Sequence, residues 1–494
     1  MAASPGNNFS GRLVNGLGEH SYLIDAATGE TILPSDLRRI IISFGANLLS
    51  TGLKPNDRIL IGCTLSPSSS IAYLGAMYAG LVPVPMEEAV LVTSIVALLE
   101  ATGATAAWTE RSLPFGGIPE AGVRVLHGLF AQRNEDELPP PASCEKNSLA
   151  VLFATSGSTG TPRFVMVSHG NLIANTEAII RSQGLSNNER AMLILPLSYC
   201  FGASVLQTHL YQGGGVVFDR RFMFPDRVLH AIDKYACTTF AGVPTVYNIL
   251  LRRSNIRSIA MPTLRRFLQA GGPLAPQRIS EMRTAVPKPK FYVMYGQTEA
   301  TARISCLEPE HLDEKLGSVG RPLDNLTVRI VDEEGKDLRA GKVGEIVVKG
   351  PSIALGYLNE PEESRHVFND GWLRTGDLAH LDAEGYVWID GRMGTFLKMR
   401  GVRVSFEEVE AKVAAVPGVY ECAAVAMPHP EVGEALVLYI VPDKGAEDII
   451  DRVRRSLSIN WTCESIQIVS EIPKTANGKI SRASLPATVI ETYE

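Results

Sequence analysis

Paired cysteines are the first thing this chain lacks. Its seven cysteines, Cys63, Cys144, Cys200, Cys237, Cys306, Cys422 and Cys463, are odd in number and show no C-x-x-C spacing. That suits neither a disulfide framework nor a zinc site and fits a reducing, cytoplasmic setting. Long apolar runs are missing too. The best candidates are broken by Gly, Pro or charge before they reach membrane-spanning length, so no membrane span is expected. The opening Met-Ala-Ala-Ser-Pro-Gly-Asn-Asn has no cationic stretch leading into an apolar one, and the closing Glu-Thr-Tyr-Glu is no peroxisomal address; neither a secretory nor a peroxisomal signal is expected. An excess of positive charge is also absent. With 47 Lys and Arg against 53 Asp and Glu, a formal net charge of −6 and no Lys/Arg-rich block, nucleic acid is excluded as a partner. Fixed-period repeats and low-complexity tracts are absent.

What is present is apolar residue in quantity. At 494 residues, 45% hydrophobic and 20% charged, the chain has an ordinary soluble composition and enough length for two or more lobes. Through the first two-thirds, helix-like and strand-like stretches alternate. Residues 37–51 have helical periodicity, Arg58-Ile-Leu-Ile-Gly-Cys63 reads as a buried strand, 68–79 as a helix and 82–85 as a short strand. The pattern recurs at Arg190-Ala-Met-Leu-Ile-Leu195, Gly215-Val-Val-Phe218, Thr238-Thr-Phe-Ala-Gly-Val243 and Lys290-Phe-Tyr-Val-Met294. It predicts an α/β fold with parallel sheets of βαβ type. From about Gly317 the pattern turns to hairpins: Leu326-Thr-Val-Arg-Ile-Val-Asp-Glu-Glu-Gly335 and 371–390, with the turn Asp382-Ala-Glu-Gly385, alternate as antiparallel strands do. A small β-rich lobe over about 317–390 thus closes an N-terminal part, 1–390. Residues 391–494 read as a separate small α+β domain, whose first helix opens on the capping box Ser405-Phe-Glu-Glu408.

The densest chemistry lies in Thr155-Ser-Gly-Ser-Thr-Gly-Thr-Pro-Arg163, directly after the apolar run Leu149-Ala-Val-Leu-Phe-Ala154 and the loop marker Pro139-Pro-Pro141. Gly157 and Gly160 let backbone N–H groups turn inward, Thr155, Ser156, Ser158 and Thr159 add hydroxyl donors, and the Arg163 fork suits phosphate. Wrapping a polyphosphate is one reading and a solvated Ser/Gly turn is another; composition alone does not separate them. A Walker A pattern cannot be threaded through Gly157 to Arg163, which argues against an ordinary P-loop NTPase.

Further segments follow in order: Gln269-Ala-Gly-Gly-Pro-Leu274, Tyr295-Gly-Gln-Thr-Glu299, Gly344-Glu-Ile-Val-Val348, Thr375-Gly-Asp377, Gly391-Arg392, the stretch from Lys398 to Gly401, and Pro473-Lys-Thr-Ala-Asn-Gly-Lys479. Together with the loop they resemble the adenylate-forming superfamily of acyl- and aryl-CoA synthetases, free-standing adenylation enzymes and luciferases, over practically the whole chain. The resemblance implies ATP and Mg2+ as cofactors. The loop from Thr155 to Arg163 would contact the ATP phosphates, Tyr295 would lie on the adenine, and Gly271, Gly272 and Pro273 would line its edge beside Gly296, Gln297 and Thr298. Glu299, with Thr159, would hold Mg2+; Asp377 would take both ribose hydroxyls and Arg392 would reach ribose or phosphate. Lys479 would be the catalytic cation that stabilises charge as a carboxylate attacks the α-phosphate and pyrophosphate leaves. The C-terminal domain would then rotate, bringing Lys398 and Gly401 to the site to guide a pantetheine thiol.

Three departures from the superfamily pattern stand out. Arg163-Phe164 replaces the usual Lys-Gly, Gly394 stands where a hinge Asp is usual, and Tyr199 stands where acyl- and aryl-CoA ligases commonly have His. Amino-acid-activating relatives carry Phe-Asp-x-Ser where this chain has Phe201-Gly202-Ala203-Ser204; a buried ammonium without a counter-charge is costly, so a non-amino carboxylic acid is expected. By resemblance Tyr199, Cys200, Phe201, Gly202, Ala270, Met294 and Gly296 would form its pocket, suited to an aryl or short-to-medium acyl group. Cys200 reads as pocket lining and not as a nucleophile, because no His-bearing motif accompanies it. The acceptor would be CoA or the phosphopantetheine of a carrier protein. A weakly active nucleotide-binding regulator is the reading from another class, and intact Lys479, Asp377 and Glu299 argue against it. Oligomeric state is not legible.

Overall fold

A computed structural model describes residues 6–113, 123–155, 163–393, 396–399, 402–429, 433–443, 448–458, 461, 463–474 and 480–485. Its largest sheet has nine strands in the order Arg321–Pro322, Ser305–Leu307, Lys290–Tyr295, Arg266–Gln269, Thr239–Gly242, Arg190–Leu193, Gly215–Phe218, Leu23–Asp25 and Thr31–Ile32. The six strands from Lys290–Tyr295 to Leu23–Asp25 run parallel, and antiparallel strands close both edges. Parallel strands are buried on both faces and so carry near-continuous apolar runs. Gly215–Phe218 and Thr239–Gly242, for instance, are buried at every position. A second, four-stranded parallel sheet takes Val82–Glu87, Arg58–Cys63, Ala106–Thr109 and Arg124–His127. Helices Pro34–Ser50 and Pro67–Tyr78 lie between the strands, each started by a proline whose fixed φ suits the first turn. The α/β architecture expected from the alternating pattern is present, with Arg58–Cys63 and Gly215–Phe218 at their predicted bounds and the other elements shifted by one to three residues at one or both ends.

The stretch expected to form hairpins gives a five-stranded antiparallel sheet, with Thr327–Val331 on Gly344–Lys349 and Trp372–Leu381 on Val387–Arg392. Its core of Ala300, Ile304, Ile330, Ile346, Val348, Leu373, Ala379 and Val387 is distinct from that of the large sheet. C-terminal strands Phe396–Met399, Val402–Ser405, Val419–His429, Gly433–Pro442 and Cys463–Ile468 make another sheet, covered by helices Phe406–Ala414 and Ile449–Ser456. The Ser405 hydroxyl accepts from the Glu408 amide at 3.3 Å, the cap read from the sequence. Two apolar clusters lie wholly within residues 404–485. Contact with the large sheet's side runs through Arg252, which pairs with Asp443 and stacks over Tyr420, and through Arg278, which donates to the Val419 carbonyl at 3.0 Å. No disulfide forms, and no helix among the described residues is long and apolar enough to cross a membrane.

Candidate active site

Three of the expected site segments leave the C-terminal ends of strands in the parallel part of the large sheet. Gln269-Ala-Gly-Gly-Pro273 follows Arg266–Gln269, Tyr295-Gly-Gln-Thr-Glu299 follows Lys290–Tyr295, and Tyr199 to Gly202 follow Arg190–Leu193. Open α/β sheets bind ligands at this end. The segments are distant in sequence, and parallel pairing brings them together.

The residues expected on the nucleotide side pair with one another or with neighbouring side chains. The Tyr295 hydroxyl donates to Asp377 Oδ2 at 2.5 Å, and burial, reinforced by the Asp377 charge, raises its pKa well above the usual value, so it remains a donor. Asp377 lies opposite Arg392 in the ladder between Trp372–Leu381 and Val387–Arg392, with Arg392 Nε 3.7 Å from Asp377 Oδ1. Thr375 fixes the approach: its hydroxyl donates to the Ile346 carbonyl at 2.7 Å and accepts from the Asp377 amide at 3.1 Å. Gln297 Nε2 reaches the Thr375 carbonyl at 3.5 Å. Glu299 sits in a short turn of helix, Thr298–Ala300, and its Oε1 accepts from the Tyr357 hydroxyl at 2.8 Å. Thr301 then takes φ +68°, rare for a β-branched residue, and is held there by its hydroxyl on the Ser352 carbonyl at 2.6 Å. This strained turn reverses the chain into Ser305–Leu307 and fixes the direction of Glu299.

Gly296 is tightly enclosed. A Cβ there would lie 2.0 Å from the Ala302 oxygen and 2.8 Å from the Arg303 Cα, so the return strand passes over it only because no side chain is present. Gly271 has φ +88°, and a Cβ would meet the Tyr199 hydroxyl at 2.5 Å. Gln269 Nε2 donates to the Gly272 carbonyl at 2.7 Å and ties the turn before Pro273.

The residues expected on the acyl side lie at the start of helix Cys200–Tyr211. Tyr199 is its N-cap residue and makes no side-chain capping bond; its ring meets Phe201 edge to face at 6.3 Å. Burial holds the Tyr199 hydroxyl neutral by raising its pKa. Cys200 Sγ accepts from Thr298 at 3.5 Å, while Ala270 and Met294 are buried in the same core as Phe201. Gly202 has no room for a side chain. A Cβ on it would point into backbone, 2.3 Å from the Pro196 oxygen and 2.9 Å from the Leu195 oxygen, and not into open space. Sequence reasoning passed over Arg303, which is buried and places its guanidinium 4.8 Å from the Phe201 ring centre. A lone cation at the entrance to the apolar strand Ser305–Leu307 was the available signal.

The loop expected to wrap phosphate is closed by an antiparallel hairpin, Leu149–Thr155 on Arg163–Ser168, and not by a strand leading into a helix. Thr155 and Arg163 face each other at its mouth. Arg163, expected to face phosphate, has its guanidinium on protein carboxylates: Nε lies 3.1 Å from Glu360 and Nη1 2.8 Å from Glu363, with the Tyr357 ring centre 5.5 Å away. Those carboxylates precede and open helix Pro361–Val367, and strand Gly356–Tyr357 pairs with the hairpin, which carries them to Arg163. Phe164 is buried under the same strand. Ser156, Gly157, Ser158, Thr159, Gly160, Gly394, Gly401 and Lys479 lie outside the described residues, and of Lys398 only the backbone, paired with Arg403, is described.

Residues 18–358 match the family model described as AMP-binding enzyme, and residues 408–479 match that of the AMP-binding enzyme C-terminal domain. The chain is 30% identical over 474 residues to a feruloyl-CoA synthase of an Amycolatopsis species, spanning 92% of this chain and 94% of that one. It is 33% identical over 358 residues to a sulfoacetate–CoA ligase of Cupriavidus necator, spanning 70% and 68%. Among solved structures, an ATP-bound MatB of Rhodopseudomonas palustris superposes with a TM-score of 0.86 at 26% identity, over 97% of this chain and 98% of that one.

Proposed function

The chain belongs to the AMP-binding enzyme family of AMP-forming acid–CoA ligases, and from that premise we propose that it activates a non-amino carboxylic acid, aryl or short-to-medium acyl, as its adenylate and transfers the acyl group to the thiol of coenzyme A. The observation that carries this reading is the convergence of Tyr295, Asp377, Arg392 and Glu299 where the Lys290–Tyr295 strand ends. An aromatic ring, a ribose-facing carboxylate, a cation and a fixed acid are the groups a bound nucleotide requires in that order.

In the adenylation step a carboxylate oxygen forms a bond to the α-phosphorus while the bond to the bridging oxygen breaks, and pyrophosphate carries away the electron pair. Negative charge grows on the phosphate oxygens, and a fixed cation lowers the barrier. Lys479 is assigned that role and Arg392 supports it from the Asp377 side. Glu299, oriented by Tyr357, suits Mg2+, which typically takes one or two carboxylates together with substrate phosphates and supplies charge neutralisation there. The C-terminal residues from 391 onward are assigned to a unit that delivers first Lys479 and then the Lys398 region.

Exclusion of an amino acid rests on Gly202. A carboxylate at that position, the counter-charge an α-ammonium needs, has no room beside the Pro196 carbonyl. The test is acid-dependent exchange of pyrophosphate into ATP against aryl, acyl and amino acids, followed by CoA and mass detection of the thioester. Exchange supported only by amino acids overturns the reading of the acid. An adenylate that persists with CoA and discharges only onto a carrier protein overturns the reading of the acceptor.

A further inference from the structure

The fold supplies counter-ions to its buried charges with one conspicuous omission. Glu189, 2% exposed, has Arg265 and Arg266; Asp219 has Arg221; Glu345 has Arg374. Arg303 is also 2% exposed, yet no ion pair with it occurs among the described residues. Its backbone is satisfied, since Asn175 Oδ1 accepts from its N–H at 3.2 Å and Asn175 Nδ2 donates to its carbonyl at 2.9 Å. Its side chain is not: Nε is buried without a hydrogen-bond partner. Tyr199 and Cys306 act on the guanidinium, and neither supplies a negative charge, because burial raises the pKa of both.

Phe201 does not balance the account. A cation over an aromatic face is a weak interaction beside the several kcal/mol needed to desolvate an ion. Guanidinium does not escape by losing its proton, although burial pulls its pKa down. A second attraction for anions converges on the same place. The twelve-residue helix Cys200–Tyr211 begins at Tyr199 with no side-chain cap, and Phe201 in its first turn lies against the Arg303 guanidinium, so the positive end of the helix is beside Arg303. Arg303 is also adjacent to Gly296, its Cα 2.8 Å from where a Cβ on that glycine would sit. Residues 199–201 and Gly296 are the acyl wall. The charge therefore lies within the pocket assigned to the acid.

We propose that Arg303 determines acid specificity by pairing with a second anionic group on the substrate, so that the preferred acid is dianionic, carrying a carboxylate or sulfonate remote from the carboxylate that is adenylated. The proposal rests on the adenylation reading and deepens it. An acid of this class supplies the counter-ion that the folded chain withholds, and a neutral-ended acid of equal length leaves Arg303 buried and unpaired.

The test compares length-matched pairs of acids, each pair a monocarboxylate and its dicarboxylate or sulfocarboxylate analogue, by pyrophosphate exchange and by thermal shift without ATP. Wild type is expected to favour the dianionic member by about 10²-fold in kcat/KM, the scale of losing one partner of a buried charge pair, and to be stabilised by it alone. Arg303→Met should abolish both preferences while its unfolding temperature without ligand stays level or rises, since an uncompensated charge has been removed. Arg303→Lys should keep the direction of preference with a smaller ratio. Equal use of both members by wild type, or a preference that Arg303→Met leaves unmoved, overturns the proposal. If no acid supports exchange while dianions still stabilise wild type and not Arg303→Met, the adenylation reading fails and the anion site stands; stabilisation by neither acid overturns the site.

Discussion

The two proposed walls of the site, whose Tyr295 and Arg303 stand eight positions apart around one strained turn, handle charge in opposite ways. On the nucleotide wall Tyr295 donates to Asp377, Asp377 faces Arg392, and Glu299 is held by Tyr357, all within the protein. On the proposed acyl wall Arg303 is buried more deeply than Asp377 or Arg392 and has no such partner among the described residues. Pairing within the protein fixes geometry before ligand arrives, which suits a cofactor common to every turnover. Leaving a charge unpaired costs stability and makes binding depend on what the ligand brings, which suits the position where one acid is chosen over another.

The largest expected effect probes the step both walls serve. Lys479→Ala should lower acid-dependent pyrophosphate exchange by about 10²–10³-fold, the usual consequence of removing one group that stabilises developing charge. Thioester formation from supplied acyl-adenylate should persist, and equal loss of both would remove Lys479 from the first step alone. Next in size, Asp377→Ala strands the Tyr295 hydroxyl and the Arg392 guanidinium together. It should raise KM for ATP by about 10–100-fold, as expected for lost hydrogen bonds to a charged group at about 1.5–3 kcal/mol. It should also lower the unfolding temperature. Opposite stability outcomes for Asp377→Ala and Arg303→Met are what the contrast between the walls requires; destabilisation by both to the same degree would erase it.

Much of this was legible in local sequence. Arg58–Cys63 and Gly215–Phe218 appear at the predicted bounds because strands buried on both faces must be continuously apolar, a signal needing no knowledge of neighbours. The Tyr295–Glu299 and Thr375–Asp377 segments were legible as short patterns in order. What escaped was pairing over distance: Tyr357 holds Glu299 from 58 positions away, and Arg163 meets Glu363 across 200. Gly202 was read as a pocket position, and sequence could not reveal that the Pro196 carbonyl occupies the direction of its missing side chain. Arg303 was passed over because its significance lies in a partner it lacks. The Gly202 reading also sets the third prediction: Gly202→Ala should cost about 1–3 kcal/mol, as overpacking does, with the acyl side losing KM for the acid before KM for ATP changes. Wild-type stability in that variant, measured by thermal or urea unfolding, would show that the helix start can shift.

The smallest effect concerns the hairpin that flanks both walls. Arg163 bridges Glu360 and Glu363, with about a quarter of its side chain and a third of theirs exposed, so each pair belongs to the weakly stabilising, solvent-screened class. Arg163→Lys keeps the charge that most relatives place there by resemblance, but a point charge cannot hold both carboxylates and stack over Tyr357 as a planar fork does. The expected loss is about 0.5–1 kcal/mol, or a fall of roughly 2 °C in Tm, with a slight loosening of Tyr357 on Glu299. If the guanidinium serves to tie the hairpin to helix Pro361–Val367, KM for ATP should stay within about twofold, because ordinary surface pairs shift binding by no more than this. A fall in KM with unchanged Tm would mean that the cation at this position works on phosphate once it is released from the two glutamates, and that the nucleotide wall, too, keeps one charge in reserve for its ligand.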